Sequence, residues 1–462
     1  MTLNDSAPAR TSELPVAIIG AGPVGLAAAA HLTERAIPFV VLEAGAHAGA
    51  AVASWGHVRL FSPWQYAIDA ASARLLEPTD WETPRPTRLP YGRELVEEYL
   101  VPLSKTAALA PHIRYGTKVA AVSRQGMDRS RSLGRSGTPF VLRLQHEVGQ
   151  SDLLARAVID ASGTTTTPNG ALASGMQPAA ADQLAGQITE SLPDVRGDDQ
   201  KLFAGKDVLV VGAGHSAANT LLSLASLAQQ EPGTTITWAI RSESPVRVYT
   251  AATDDLEGRA VLGSRVARLV HQGRVRLLDR YEIDDLRPRE DGRVEAVGRR
   301  AGEEMRIITD VVVPATGFRP ELEMLREMRL SLDEIVEAPS MLAPLIDPNL
   351  HSCGSVPPHG VAELRHPEPD FYIAGMKSYG RAPTFLLLTG YEQVRSIADE
   401  LAGNHVAARE VHLVLPETGV CSTGDPGGSG VACCSTPTPA AQSSGRQALP
   451  LLSRVPVGAP GR

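Results

Sequence analysis

The chain has 462 residues, of which 43% are hydrophobic and 21% charged, with a formal net charge of −8 and only four cysteines. This composition is typical of a globular protein of roughly two or three domains, and it argues against a general nucleic-acid surface and a disulfide framework. No apolar run approaches a membrane span and the N-terminus lacks the apolar core of a signal peptide, so we expect a cytoplasmic protein with reduced thiols and no membrane partner.

A short apolar run near the start of the chain leads into a glycine-rich turn. Residues 16–19 predict a buried parallel strand, which is followed at once by an alanine-rich helix. The turn between them, the first glycine turn, contains Gly20, Gly22, Pro23 and Gly25. This spacing lets a pyrophosphate approach the backbone at a helix N-terminus. A second strand, 39–42, ends in Glu43, which we expect to accept hydrogen bonds from a ribose.

The segment after Glu43 has no clear period. Residues 44–69 contain Trp55, Arg59 and Trp64. We interpret the segment as a loop that crosses a cofactor and lines a site, with a surface loop anchored by two tryptophans as the alternative. A helix is predicted over residues 93–109, with a kink at Pro102.

A β-ribbon is predicted next. Strands are expected over residues 113–122 and 139–145, with a return strand over 155–160, and the basic segment 125–137 is predicted to be a solvated loop. The cofactor-binding candidates on these elements and on the turn that follows are Val119, Ser162 and Gly163.

The same order of elements restarts after a crossing segment, residues 164–199. Residues 206–211 predict a second buried strand that leads into a helix reaching about residue 229, and strand 234–240 ends at Arg241. The second glycine turn consists of Gly212, Ala213, Gly214, His215, Ser216 and Ala217. An arginine at this strand end suits the 2′-phosphate of NADP better than the bare hydroxyl of NAD, although a solvated charge is the alternative.

The second unit also ends with a strand that runs into a small-residue turn, as the first unit does. Paired strands are predicted around residues 274–278, 293–297 and 305–308, and strand 311–314 runs into a small-residue turn. That turn, Ala315, Thr316 and Gly317, matches residues 161–163 of the first unit. Two such units predict two dinucleotide sites, and because a nicotinamide beside a second dinucleotide implies hydride transfer to a flavin, we expect FAD at the first site and NADPH at the second.

The C-terminal part is predicted to complete the first unit. A strand over residues 371–374 precedes Gly375, and a helix over 386–401 carries Thr389 in its first turn. The dipole of that turn is expected to point at the flavin, with an ordinary packing helix as the alternative.

The predicted fold is α/β, with two Rossmann-like, three-layer (ββα) domains and the NADPH domain inserted in the FAD domain. The predicted boundaries are a disordered N-terminus over 1–14, an FAD-binding domain over 15–170 and 315–402, an NADPH-binding domain over 195–314, and a flexible cysteine-containing tail over 403–462.

These motifs resemble those of the two-dinucleotide-binding flavoproteins, in particular the NADPH-dependent flavin monooxygenases. The resemblance covers about residues 15–402 and includes both glycine turns, Trp55 with residues 60–62, and residues 315–320. It implies that NADPH reduces FAD and that O2 then oxidises a soft nucleophile such as sulfur, nitrogen or selenium. The family fingerprint FxGxxxH is missing between Gly163 and Gly212, and Met376 follows Gly375 where related reductases carry an acid. A redox CxxC pair is also missing from the sequence.

The tail carries three of the cysteines, Cys421, Cys433 and Cys434. Three thiolates on a flexible chain can converge on a soft, three-coordinate ion, and the spacing fits zinc less well. The short motifs around them resemble those of trivalent-arsenic metallochaperones, and the tail makes the chain similar to the flavin monooxygenases of arsenic-resistance operons. Cysteines without a function in a disordered tail are the alternative.

Catalytic side chains are singled out least clearly. Arg59 and Arg381 flank the predicted flavin stretches and are candidates for stabilising activated oxygen or orienting an anionic substrate, with surface arginines as the alternative. The sequence thus predicts an NADPH-dependent FAD monooxygenase acting with O2 on a small molecule, with trivalent arsenicals as the hypothesis. A flavin reductase or oxidase and a metalloid-binding protein with a vestigial flavin site are the other interpretations, and a homodimer is left open.

Overall fold

The computed structural model describes residues 13–245, 248–249, 257–348, 356–383 and 385–413. Most of the predicted disordered N-terminus and the tail beyond residue 413 lie outside these residues, as do all four cysteines. The predictions for those segments therefore stay predictions. Within the described ranges, no helix is long and apolar enough to cross a membrane.

The strands are numbered in chain order. They are β1 (Val16–Ile19), β2 (Phe39–Leu42), β3 (Ile113–Arg114), β4 (Lys118–Arg124), β5 (Phe140–His146), β6 (Gly149–Ala155), β7 (Ala157–Asp160), β8 (Asp207–Val211), β9 (Thr235–Ala239), β10 (Arg276–Leu278), β11 (Tyr281–Pro288), β12 (Val294–Arg300), β13 (Glu303–Thr309), β14 (Val311–Pro314) and β15 (Phe371–Ile373).

The helices are numbered in the same way. The α-helices are α1 (Pro23–Glu34), α2 (Ala50–Ala53), α3 (Ala70–Leu76), α4 (Gly92–Glu94), α5 (Val101–Ser104), α6 (Gln200–Phe203), α7 (His215–Gln230), α8 (Glu257–His271), α9 (Ala343–Ile346) and α10 (Leu387–Leu401). A π-helical turn spans Leu95–Leu100. Short 3₁₀ turns span Trp64–Tyr66, Ala110–His112, Arg135–Gly137, Ala181–Leu184, Glu323–Leu325, Gly375–Tyr379 and Ala407–Arg409.

Two parallel sheets organise the chain. The first has the strand order β15-β7-β1-β2-β3 and the second has the order β10-β9-β8-β14. Two three-stranded sheets, β4-β5-β6 and β11-β12-β13, are antiparallel. Because every strand of the second parallel sheet lies between β7 and β15 in the chain, the second unit is inserted in the first.

Each parallel sheet is covered on both faces. In β1, Val16 and Ile18 pack with α1 and α10, whereas Ala17 and Ile19 pack with β4 and β5. In β8, Val208 and Val210 contact the core that contains α7, and Leu209 lies in the core with β11 and β12. Burial on both faces explains why these strands are continuous apolar runs. The three-layer arrangement of both units confirms the predicted fold class.

The helix predicted over 93–109 ends earlier and contains a π turn. Helix α4, the π turn and α5 form one helical run that stops at Ser104. Pro102 has no N–H to donate to the carbonyl of Glu98 four residues before it. The indole N–H of Trp81 donates to that carbonyl instead, at 2.6 Å, so the proline is tolerated inside the helical run.

The strand predicted over 113–122 is two strands in two different sheets. Strand β3 pairs with β2 in the first parallel sheet, and β4 begins the antiparallel sheet. Gly116 lies between them with a φ of 59°, a left-handed conformation that redirects the chain. The predicted return strand 155–160 was also wrong, because β6 pairs with β5 whereas β7 pairs with β1.

In the second unit the ribbon is made of different strands from those expected. Strand β10 pairs with β9 in the parallel sheet rather than with the ribbon. The third ribbon strand is β11, which was not predicted, and neither was helix α8.

The basic segment 125–137 is not simply a solvated loop. Arg135 is buried, and with Arg124 it holds the carboxylate of Glu368, each at 2.8 Å. Burial raises the pKa of Glu368, but the hydrogen bonds from the two guanidinium groups outweigh this effect and hold that pKa below its ordinary value. This ion cluster fastens the segment to the chain just before β15.

Candidate functional site

The first glycine turn requires two of its glycines for its own packing. Gly20 has a φ of 98°, and a Cβ there would lie 2.9 Å from the carbonyl oxygen of Ala161. A Cβ on Gly25 would lie 1.9 Å from the carbonyl oxygen of Gly20. At Gly22, in contrast, none of the described atoms lies within 4 Å of a Cβ position. The open side of the turn is therefore where a ligand can approach the backbone.

The second glycine turn repeats this geometry. Gly212 has a φ of 124°, and a Cβ there would lie 2.1 Å from the carbonyl oxygen of Ala315. The Cβ position of Gly214 is open, with no neighbour among the described atoms within 4 Å. Ala217 replaces the third glycine and is buried. The covering carbonyl belongs in each unit to the turn that follows a strand of the parallel sheet, here called the exit turn, which is residues 161–163 after β7 and residues 315–317 after β14.

Glu43 lies against the first glycine turn. Its side chain is buried, with one carboxylate oxygen accepting from the N–H of Ala21 at 2.6 Å and the other from Gly45 at 2.7 Å. Since each carboxylate oxygen has two lone pairs, both oxygens can accept a further hydrogen bond from a ligand hydroxyl.

A buried ion pair lies beside the exit turn of the first unit. The Lys377 ammonium is 2.7 Å from Asp160 and donates to the Ser162 hydroxyl at 3.1 Å. Ser162 donates through its hydroxyl and its N–H to the other oxygen of Asp160, and Gly163 follows with a φ of 75°. Sequence reasoning missed Lys377, because nothing local distinguishes it from a surface lysine.

Helix α10 begins against the first glycine turn. A Cβ on Gly390 would lie 2.6 Å from the Val24 side chain, and one on Gly375 would lie 3.1 Å from it. The N–H of Gly375 donates to Gln393 at 2.8 Å, and Thr389 is buried in the first turn of α10. The structure therefore places the predicted Gly375 against helix α1, whose N-terminus is the first glycine turn, and Gly390 brings the first turn of α10, which contains the predicted Thr389, to the same helix.

Arg241 lies exposed after β9, with its guanidinium donating to the carbonyl of Ala173 at 3.3 Å. A second arginine, Arg280, was missed: its N–H donates to the carbonyl of Ser242 at 3.1 Å, and its φ is 49°. A left-handed φ at a residue other than glycine is a strained conformation that occurs frequently at functional sites.

The remaining cofactor candidates are spread over several elements. Trp55 is half-buried and packs so closely on Gly92 that a Cβ there would lie 2.9 Å from the indole ring. Val119 is buried in β4 beside an irregularity in the pairing with β5. The Thr316 hydroxyl donates to the Asn169 carbonyl at 2.8 Å, and Gly317 has a φ of 94°.

His215 and Ser216 open helix α7 directly after Gly214. The ring of His215 lies 5.1 Å from the ring of Phe61, which belongs to the segment after Glu43. The two candidate catalytic arginines are exposed. The guanidinium of Arg59 lies over the Tyr91 ring, 5.9 Å from its centroid, and the backbone N–H of Arg381 donates to the carbonyl of Val336.

The chain also has a cavity of about 810 Å³ that is separate from these residues. It is lined by residues 79–85 together with Glu98, Pro102, Lys105 and Thr106. None of the predicted site residues lines it, so we assign the site from the glycine turns rather than from this cleft.

Comparison with known proteins places this geometry in a known family. The pyridine nucleotide-disulphide oxidoreductase family matches residues 17–342. Indole-3-pyruvate monooxygenase YUCCA6 of Arabidopsis thaliana is 30% identical over 215 residues, which are 46% of this chain and 45% of that protein. The chain thus spans about half the length of this curated relative.

Solved structures show the same fold. Bacillithiol disulfide reductase Bdr from Bacillus cereus has a TM-score of 0.60 at 19% identity, covering 85% of this chain and 99% of that one. DfoA, a cadaverine monooxygenase of Erwinia amylovora bound to FAD, has a TM-score of 0.61 at 14% identity, covering 88% and 98%. At these identities the likeness is one of fold.

Proposed function

The chain belongs to the pyridine nucleotide-disulphide oxidoreductase family of flavin-dependent enzymes, and on that premise we propose that it is an NADPH-dependent FAD monooxygenase acting on a soft nucleophile. The observation that carries the proposal is the repeated turn geometry. Each turn has one glycine locked under an exit-turn carbonyl and one glycine, Gly22 or Gly214, whose Cβ position is open.

FAD is assigned to the first glycine turn. The free N–H groups at the start of α1 and the open side of Gly22 suit its pyrophosphate, and Glu43 suits the adenosine ribose. Gly375 and the first turn of α10, which contains Thr389 and Gly390, lie beside this turn, since Gly375 and Gly390 both pack on Val24 of helix α1. A flavin bound there accepts hydride and activates O2, while the protein positions it.

NADPH is assigned to the second glycine turn. Gly214 leaves the helix N-terminus of α7 open to a pyrophosphate. Arg241 follows the end of β9, and the guanidinium of Arg280, which is 3.0 Å from Asp279 and 4.0 Å from Glu243, lies near the same strand end, where an adenosine ribose lies in this fold. A guanidinium suits a 2′-phosphate because it can donate two parallel hydrogen bonds.

Oxygen transfer is preferred over disulfide reduction for a chemical reason. Disulfide exchange needs a pair of thiols next to the flavin, and the four cysteines of this chain form no CxxC pair. The overall reaction consumes NADPH, a proton and O2, and it yields NADP⁺, water and a substrate that carries one added oxygen atom.

The substrate proposed is a trivalent arsenical, inorganic or organic. Its support is the sequence of the tail, where Cys421, Cys433 and Cys434 offer three soft sulfur ligands. Oxidation to the pentavalent state fits an oxygen atom transfer to a soft lone pair.

The test uses the purified full-length protein. Its visible spectrum reports bound flavin, anaerobic mixing with NADPH reports hydride transfer, and ¹⁸O₂ is then added with arsenite. One ¹⁸O atom per NADPH in the arsenical product supports the proposal. NADPH consumption that yields only hydrogen peroxide would instead show an oxidase or reductase, and a colourless protein would show a vestigial flavin site.

The arsenical hypothesis has its own test. We expect replacement of Cys421, Cys433 and Cys434 together by Ser to weaken arsenite binding and slow its turnover. An unchanged affinity and rate would overturn the role of the tail while leaving the monooxygenase proposal standing.

A further inference from the structure

A closed cycle of hydrogen bonds holds the first residue after β15. The N–H of Gly375 donates to the side-chain oxygen of Gln393 at 2.8 Å. The amide of Gln393 donates to the Ser378 hydroxyl at 2.9 Å, and that hydroxyl donates to the carbonyl of Gly375 at 2.7 Å. The side chains of Gln393 and Ser378 are completely buried. These three residues, here called the Gly375 cycle, therefore fix both backbone polar groups of Gly375.

The Gly375 cycle is joined to a buried histidine. The side-chain nitrogen of Gln393 lies 2.9 Å from Nε2 of His359, whose Nδ1 lies 3.1 Å from the carbonyl oxygen of Pro357. A backbone N–H can only donate, so Gly375 fixes which end of the Gln393 amide carries the oxygen. A carbonyl oxygen can only accept, so Nδ1 of His359 carries the hydrogen and Nε2 accepts from Gln393. This pattern is that of a neutral imidazole.

A protonated His359 does not fit this pattern. An imidazolium donates from both ring nitrogens, so a hydrogen on Nε2 would face the N–H of Gln393. Turning the amide over would satisfy that hydrogen but would place the amide N–H₂ group against the N–H of Gly375. In either orientation two donors face each other in a buried site, which is unfavourable. A proton on His359 and the hydrogen bond from the Gly375 N–H therefore exclude each other.

The surroundings of His359 favour the neutral form. Burial lowers the pKa of His359, and this effect outweighs the attraction of two carboxylates, Glu363 on its own segment and Glu392 on α10. Glu392 is itself paired with Arg395 at 2.7 Å. From the turn after β15, the Tyr379 ring lies 5.7 Å from the imidazole, and burial raises the pKa of its phenol, so it stays neutral.

The Gly375 cycle lies against the first glycine turn. A Cβ on Gly375 would lie 3.1 Å from the side chain of Val24, two residues after Gly22. Gly390, three residues before Gln393 on α10, packs on the same side chain. A displacement of Gly375 therefore reaches the helix start that we assign to FAD.

We propose that Gln393 and neutral His359 are positioning residues that hold Gly375 in place for FAD binding, and that a proton on His359 releases it. This inference rests on the proposed function, because it requires FAD at the first glycine turn. Release of FAD then allows uptake of one proton by His359. The affinity for FAD should thus fall as the pH falls below about 6.5, where an unperturbed histidine titrates.

The test starts from the FAD-loaded full-length protein. Dilution series followed by flavin fluorescence give the Kd for FAD at half-unit steps between about pH 5 and 8. For the unsubstituted protein we expect the Kd to rise below pH 6.5, by at most about tenfold per pH unit, the slope for one proton. A Kd that does not change between pH 6.5 and 5 would overturn the proposal without any variant.

Two variants of the histidine separate its proton from its place in the fold. His359→Gln keeps an acceptor for the Gln393 amide but takes up no proton. It should bind FAD at pH 7.5 as the unsubstituted protein does, and its Kd should stay constant down to pH 5. His405→Gln is the matched control, because it removes an exposed histidine, and it should keep the slope of the unsubstituted protein.

Gln393→Glu is expected to reverse the sign of the pH dependence. Its carboxylate can accept from the Gly375 N–H and also from a protonated His359, so this pair needs one proton where the original pair needs none. The Kd for FAD should therefore fall as the pH falls. A role of Gln393 in the fold alone would weaken FAD binding equally at every pH.

Two results with the variants would also overturn the proposal. One is a His359→Gln profile parallel to that of the unsubstituted protein, and the other is a Gln393→Glu profile of unchanged sign. If the unsubstituted protein binds no FAD at any pH, the assignment of FAD in the proposed function fails. The role of His359 then fails with it, by a result distinct from a flat pH profile.

Discussion

Lys377 and Asp160 form an ion pair at 2.7 Å in which both side chains are completely buried. They lie 217 residues apart, and the whole second unit is inserted between them. Asp160 ends β7 and Lys377 follows β15, so the pair joins the two neighbouring strands that come from opposite ends of the insertion. The exit turn that covers Gly20 is bonded to this pair through Ser162.

We expect Lys377→Met to lower the free energy of unfolding by about 3–5 kcal/mol, because it leaves the Asp160 carboxylate buried without its partner. The double variant Lys377→Met with Asp160→Asn should recover much of this loss, since the buried charge is gone and the amide oxygen can still accept from Ser162. Denaturant unfolding followed by circular dichroism measures both. Arg143→Met, which breaks an exposed ion pair with Asp152, is the control and should change stability far less. Equal stability of the single and double variants would contradict this account.

The glycine turns allow packing and ligand binding to be separated. Gly25→Ala should destabilise the protein by about 3 kcal/mol, since its Cβ would lie 1.9 Å from the Gly20 carbonyl oxygen. Gly22→Ala should leave the melting temperature of the FAD-free protein unchanged, because its φ of −79° suits any residue and its Cβ position is open. The same variant should lose FAD, measured by absorbance after desalting.

Gly214→Ala is the matched variant in the second glycine turn, with a φ of −110° and an open Cβ position. We expect it to keep FAD and the melting temperature while NADP⁺ binding weakens. Loss of FAD from Gly214→Ala, or full FAD occupancy in Gly22→Ala, would mean that the two sites are assigned the wrong way round or are not dinucleotide sites.

Features set by local sequence could be predicted, and features set by distant pairing could not. The strand at Val16–Ile19 and the turn after it were predicted because buried strands and glycine spacing are short-range signals. Lys377, Arg135 and Glu368 were missed because their partners lie 217 and 233 residues away in sequence. Since most charged residues are exposed, the sequence alone predicts a solvated side chain unless its distant partner is known.

Helix α8 could have been found from the sequence. Leu262, Val266, Leu269 and Val270 recur at helical spacing along one face of it, and the structure packs that face into the core of the second unit. Phe61 carries no such local signal. Its contact with His215 depends on how residues 49–61 run between the two units.

The burial of His366 predicts that the free energy of unfolding falls at acid pH. Burial lowers its pKa to about 4, its Nδ1 accepts from the Ser331 N–H at 3.2 Å, and its Nε2 has no hydrogen-bond partner among the residues that the structure describes. In the unfolded chain a histidine titrates near 6.5, so between pH 6.5 and about 4 the unfolded state binds the extra proton. Stability should therefore fall as the pH falls through this window, by at most about 3 kcal/mol.

His366→Gln should flatten this part of the stability profile whatever its effect at neutral pH. His405→Gln is the control, because that ring is exposed and pairs with Glu400 at the surface. The measurement is the denaturant midpoint at half-unit steps between pH 4 and 7. Parallel profiles for His366→Gln and the unsubstituted protein would show that another group causes the acid sensitivity.

The position of Arg241 after β9 predicts that the protein uses NADPH in preference to NADH. Among the residues that the structure describes, its exposed guanidinium has one hydrogen bond, a long one of 3.3 Å to the Ala173 carbonyl, which leaves further N–H groups to donate to a 2′-phosphate. We expect Arg241→Ala to raise the KM for NADPH about 10- to 100-fold, the range of one hydrogen bond to a charged group, while the KM for NADH stays unchanged.

Arg280→Ala should act in the same direction but more weakly, because that guanidinium is already bonded to Asp279 at 3.0 Å. Arg143→Ala serves as the control, since it removes an exposed arginine from the antiparallel sheet of the first unit. An equal rise in the KM for NADPH and for NADH in Arg241→Ala would show that the arginine supports the fold of the second unit rather than binding the 2′-phosphate.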